Sequence, residues 1–222
     1  MRAGIVALAM LLAFAGPLAA EDVAVGGKTL SLQPPAGFCV YDPGNAFDAA
    51  AMQRAEDAQA GKNRIVLQFG RCDEFAQWRS GAVPFSEFGR IMLPLNYPGA
   101  PQPLPLSRQK YLDIMAPKVA KLDPADVERI EDQASRKTTE TQASSPQLLG
   151  LLDQDHDALY VGFLGVIEVG GKKYSLAGVG AVTMLGSVPA SVNLYRPMGK
   201  GAFDKLIAAQ KAYVAALIHS NP

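Results

Sequence analysis

This chain is poor in the residues that most enzyme chemistry needs. It has two histidines and two cysteines in 222 residues. It contains no G-x-S-x-G, no H-E-x-x-H, no G-x-x-x-x-G-K-[ST] and no G-x-G-x-x-G. Those absences exclude a nucleophile elbow, a helical zinc-hydrolase site, a phosphate loop and a dinucleotide turn of the usual kinds. No charge of one sign prevails: Lys+Arg and Asp+Glu are each 21. A nucleic-acid binder needs a basic footprint, so no nucleic-acid partner is expected. Beyond residue 20 no apolar run reaches the roughly 20 residues that span a bilayer, so no integral membrane segment is expected there.

The first residues are informative. Residues 1–20 read MRAGIVALAMLLAFAGPLAA, with one basic residue (Arg2), an apolar run over 5–15, a Gly16-Pro17 break and small residues to Ala20. This is the layout of a secretory signal peptide, cleaved after Ala20 to leave Glu21 first. No cysteine stands at the cleavage region, which argues against lipid attachment. The expected mature protein is residues 21–222, a single exported domain in the periplasm or secreted. In an oxidising compartment Cys39 and Cys72 are expected to pair. A bridge closing a loop of about 34 residues is worth roughly 3–4 kcal/mol in the chain-entropy model. A redox or metal role is the alternative, but there is no C-x-x-C and no histidine near either cysteine in sequence.

Hydrophobic content of 49% is enough for a real core. Residues 23–32 read as a hairpin about Gly26-Gly27, with Leu30 and Leu32 on one face. Asn45 is placed to cap a helix that Gly61 closes, and residues 63–69 alternate as a strand leading into Cys72. A short helix with Phe75 and Trp78 on one side follows, then a strand over 88–93. Residues 94–105 hold prolines at 94, 98, 101, 103 and 105, which predicts an extended surface loop. Ser107 caps a helix that Pro117 interrupts, and Asp123-Pro124 opens another. Residues 135–145 are polar and read as a loop or exposed edge strand.

The last third has four strand-like runs, 148–152, 158–169, 173–185 and 190–196, joined by short turns that require antiparallel neighbours. The chain closes on a helix over 202–219. Phe203, Leu206, Ile207, Gln210, Tyr213, Val214 and Leu217 share one face of it, while Lys205 and Lys211 are assigned to the other. The expected class is α+β: an antiparallel meander with packed helices, including a C-terminal amphipathic helix. A strand-and-helix first half, the meander with its Gly170-Gly171 turn and the ending VNLYRPMGKGAFDKLIAAQKAYVAAL together resemble the Mog1/PsbP-like α/β/α sandwich proteins. That resemblance implies a sandwich fold and a binding or accessory role, and it carries no active site to transfer.

Three patterns bear on chemistry. Asp153, Asp155 and Asp157 alternate around His156, but a Ca²⁺ loop needs Gly at its sixth position and an acid at its twelfth, where Ala158 and Leu164 stand. A solvated turn explains the acids better, because Asp bonds nearby backbone N–H groups. Ser107 and Lys110 match S-x-x-K, yet S-D-N and K-T-G are missing, which favours Ser107 as a helix cap. Gly178 and Gly180 could floor a ligand cleft or simply let a large ring pack on the sheet. Trp78, Tyr97 and Tyr111, near the proline-rich stretch, either form a recognition surface or cover the core edge. No metal, cofactor or catalytic residue is assigned. The expected function is non-enzymatic: a soluble binding or accessory protein of the bacterial envelope, with a small molecule or an envelope protein as partner. The alternative is a small envelope hydrolase using His156 with nearby carboxylates, or the Ser107/Lys110 pair.

Overall fold

The structure, a computed structural model, describes residues 21–96, 99–136 and 147–222. The expected leader over 1–20, Tyr97 and most of the polar stretch 135–145 lie outside the described residues. Strands β1 (Glu21–Val25) and β2 (Lys28–Leu32) form an antiparallel hairpin about Gly26-Gly27. Then come β3 (Phe38–Val40), α1 (Ala46–Gln59), β4 (Asn63–Arg71), α2 (Phe75–Arg79) and β5 (Phe88–Pro94). Helices α3 (Arg108–Met115) and α4 (Pro124–Arg136) precede the meander of β6 (Gln147–Gln154), β7 (Leu159–Val169), β8 (Lys172–Leu185) and β9 (Val188–Pro197). Helix α5 (Ala202–Ser220) closes the chain. The class is α+β, as expected.

Local chemistry explains the boundaries. Asn45 Oδ1 accepts from the Phe47 and Asp48 amides at the start of α1, and Ser107 Oγ accepts from the Lys110 amide at the start of α3. Pro117 falls in a 3₁₀ turn over Ala116–Lys118, where the ring can no longer continue α3. Asp123 Oδ1 takes the Ala125 amide as Pro124 opens α4. The proline-rich stretch is tethered rather than free: Leu104 N donates to Ser187 O, and the Pro103 ring lies against Gly26.

The main sheet has seven strands in the order β3-β4-β5-β9-β8-β7-β6. Every neighbouring pair is antiparallel. The β5–β9 pairing joins the first half of the chain to the meander. Alternation then assigns two faces. On one, Leu67, Phe69, Ile91, Leu93, Val179, Val192 and Leu194 pack under α5 and the β1–β2 hairpin. All seven residues assigned to the apolar face of α5 are buried or half-buried there. Glu131 of α4 accepts from the Gly201 and Phe203 amides, so a carboxylate from another helix meets the start of α5. Lys205 is exposed as expected. Lys211 differs: it pairs with Asp153 at 2.7 Å and lies 5.5 Å from the Tyr160 ring centroid.

The second face is covered at its two ends only. At the β3–β5 end, Tyr41, Phe75, Trp78 and Phe85 pack with Phe47 of α1 and Phe88 of β5. At the β6–β8 end, Leu112 of α3 packs on Leu151, Leu159 and Val161. In the first turn of α1, Asp48 is fully buried. It accepts from Arg79 Nε at 2.9 Å, Arg79 Nη2 at 2.6 Å and the Asp42 amide at 2.9 Å. The Asp48 carboxylate in turn holds the Arg79 guanidinium pKa above its ordinary value.

Cys39 and Cys72 form a disulfide with Cα atoms 4.9 Å apart. The β3–β4 register sets it up, with Cys39 opposite Gly70. A disulfide is compatible with an extracytoplasmic location. Among the described residues no helix is long and apolar enough to cross a membrane.

Candidate ligand-binding site

Between the two covered ends the middle of the second face is open. Two cross-strand rows form its floor. In the first, Gln68 stands opposite Arg90, Arg90 opposite Asn193, and Asn193 opposite Gly180. In the second, Phe88 stands opposite Tyr195, Tyr195 opposite Gly178, and Gly178 opposite Phe163. Directly opposed residues share a face with Cβ atoms about 5 Å apart, so a polar row runs beside an aromatic one. The Phe88 and Tyr195 rings stack at 4.9 Å and 12°. Phe163 meets Tyr195 edge-on at 5.4 Å.

The glycines make this floor possible. A Cβ at residue 178 would overlap the Phe163 ring, and one at residue 180 would fall 2.7 Å from Asn193 Oδ1. Both readings of the pair therefore apply: a large ring packs on Gly178, and the same ring lines a cleft.

The wall comes from the β7–β8 ribbon. Residues 165–169 pair with 172–176, while β9 reaches β8 only as far as Leu176. The free ribbon passes over the α2 end, where Gly170 comes so close to the Gly81 carbonyl that a Cβ would collide with it. Gly170 also has φ of 57°, which disfavours other residues there. Val166 and Ile167 thus face two connected chambers. One, of about 370 Å³, is lined by Arg90, Met92, Leu148, Phe163, Asn193 and Tyr195 among others. The second, of about 340 Å³, runs past Arg90 to Gln68, Tyr41 and Trp78. Such volumes are at the small end of ligand sites, which run roughly 300–1,000 Å³.

Arg90 lies where the chambers meet. Its guanidinium carbon is 4.9 Å from the Tyr195 ring centroid. Among the described residues no carboxylate forms an ion pair with it. Gln68 is only 8% exposed, yet its amide makes no hydrogen bond among the described residues. Asn193 is held by Ser191, its Nδ2 donating to Ser191 O at 3.0 Å. Burial pushes the Tyr195 phenol up, with the Arg90 charge opposing the shift. Burial likewise pushes the Tyr41 phenol above its ordinary value, again against Arg90. Both rings are therefore neutral hydroxyls near neutral pH. Arg54 and Glu168 stand exposed on the rim.

The residues singled out from sequence lie elsewhere. In the β6–β7 turn, ligand atoms of Asp155, His156 and Asp157 come within 4.8 Å of one another. Their carboxylates are engaged, however. Asp155 accepts from the Asp157 and Ala158 amides and from the Tyr160 hydroxyl at 2.9 Å. Asp157 sits 3.5 Å from Arg108, and Asp153 holds Lys211. His156 contacts Asp157 at 3.3 Å but its side chain is 84% exposed. Ser107 and Lys110 are exposed, and Ser107 acts as the cap. The Arg108–Asp157 pair brings the Ser107 end of α3 beside the His156 turn, outside the open cleft. Trp78 is 4% exposed inside the aromatic cluster, stacked on Phe85 at 4.8 Å. Tyr111 is half-buried on α3, and burial raises its phenol.

Neither a protein-family model nor a curated relative matches the chain. The case for function rests on this cleft. Sequence reasoning missed Gln68, Arg90, Asn193 and Tyr195. The signal that could have found them is a polar residue at a core-facing register, Arg90 between Phe88 and Met92, and Asn193 two residues before Tyr195.

Proposed function

We propose that this chain is an exported, non-enzymatic binding or accessory protein of the bacterial envelope, with a cleaved leader over residues 1–20 and a small-molecule site in the open cleft. One observation carries the reading: Arg90, with no ion-pair partner among the described residues, stands between aromatic rings and the side chain of Gln68 on the floor of a concave surface. A concave surface lined by apolar side chains with a few convergent polar groups, one of them a cation without a carboxylate partner, is the usual form of a small-molecule site. The disulfide supports export, and the N-terminal pattern supports the route. The Mog1/PsbP-like resemblance rests on element order and stays a proposal.

The test is native mass spectrometry of protein released by osmotic shock from the producing cell. The expected result is an N-terminus at Glu21 and a bound small molecule that the Arg90→Met protein fails to retain. Protein kept in the cytoplasm with residues 1–20 attached would contradict the export half. A ligand retained equally by Arg90→Met would contradict the site.

A further inference from the structure

The chemistry of this cleft narrows its ligand class, and the argument rests on reading the cleft as a binding site. We propose that it takes a small amphipathic monocarboxylate, with the carboxylate on Arg90 and Gln68 and the apolar body against Met92, Phe163 and Tyr195. Charge comes first. Arg90 is the cation on the floor, and among the described residues it has no carboxylate partner. A guanidinium presents paired N–H donors that match a carboxylate in a plane. The Gln68 amide, opposite Arg90 in the ladder, adds a donor from the adjoining chamber. One floor cation with two neighbouring amides suits a single negative charge. A phosphate dianion calls for a denser set of cations or a helix N-terminus, whereas the second chamber adds only Arg54, exposed on the rim with Glu168 also there.

Shape and polarity set the rest. Past Arg90 the larger chamber is bounded by Met92, Leu148, Phe163, Val166, Ile167, Leu176 and Tyr195. Leu148 is 66% exposed at the mouth, an apolar side chain that an apolar ligand would cover. An uncharged ligand would leave Arg90 unpaired once water was displaced. A cationic ligand would meet it as a like charge.

The experiment is calorimetric titration of the mature protein with phenylpropionate and octanoate, each against its neutral amide, with amide-resolved NMR to place the binding. Fluorescence of Trp78, the single tryptophan, gives a second readout from the adjoining chamber. The acids are expected to bind at least about tenfold tighter than the amides, the scale of a charge-assisted hydrogen bond. Arg90→Met should abolish that preference. Arg90→Lys, which keeps the charge but loses the planar pair of donors, should retain part of it and controls for folding. Acids and amides binding equally at the cleft would overturn the carboxylate assignment and leave the binding site standing. Failure of every acid and amide to shift a cleft resonance would overturn both.

Discussion

Gly178 lies directly beneath the ring of Phe163, its cross-strand partner, with no room for a Cβ between them. The ring stays on the sheet and forms part of the cleft floor because residue 178 has no side chain. Gly178→Ala must lift the ring or shift the strand. Overpacking of this kind costs about 1–3 kcal/mol. Urea denaturation should show that loss, whereas Gly199→Ala, in open space, should stay within about 0.5 kcal/mol.

The Asp48–Arg79 pair is asymmetric: Asp48 is fully buried, and the Arg79 side chain is 32% exposed. Removing the arginine strands a buried carboxylate, whereas removing the carboxylate leaves an arginine that water can reach. Arg79→Met should therefore cost about 3–5 kcal/mol, and Asp48→Asn less. Equilibrium unfolding of the two variants gives the order, and equal losses would contradict it.

On α5, Leu206 is fully buried, so Leu206→Ala should cost about 2–5 kcal/mol from lost transfer and the cavity left. Lys205→Ala should cost almost nothing. Lys211→Ala should cost about 0.2–1 kcal/mol, the range for solvent-screened pairs, because Lys211 holds Asp153. The Lys211 ammonium keeps the Asp153 carboxyl below the usual carboxylate range. A depressed folded pKa gives stability that is present above the unfolded value and lost as pH falls through the folded one. The penalty of Asp153→Asn should thus be seen at neutral pH and should shrink below about pH 3.9.

Reduction of Cys39–Cys72 should destabilise the domain by roughly 3–4 kcal/mol. Denaturation with and without reductant measures this, and alkylation after reduction alone should label both cysteines. Free thiols in the native exported protein would contradict the pairing.

The meander, the hairpin about Gly26-Gly27 and the buried face of α5 were legible because each depends on local period and turn chemistry. Helix starts at Asn45, Ser107 and Asp123 were legible for the same reason. The cleft was not. It depends on β9 returning to pair with β5, which sets Arg90 opposite Asn193, residues over a hundred positions apart whose register no local pattern states. Lys211 looked like a surface residue because its partner, Asp153, comes from a distant turn. Gly178 and Gly180 were the one local hint of a floor, and the ring above Gly178 came from another strand.

The central claim is that the open middle of the second face is where this protein binds. Amide-resolved NMR of the mature, disulfide-bonded protein, titrated with a small library of organic acids, amides and amines, tests it most directly. The account predicts shifts clustered on Phe88, Arg90, Asn193, Tyr195 and Ile167, absent in the Arg90→Met protein. Shifts gathered instead at the Asp155–Asp157 turn or along α3, with the cleft resonances unmoved, would contradict it.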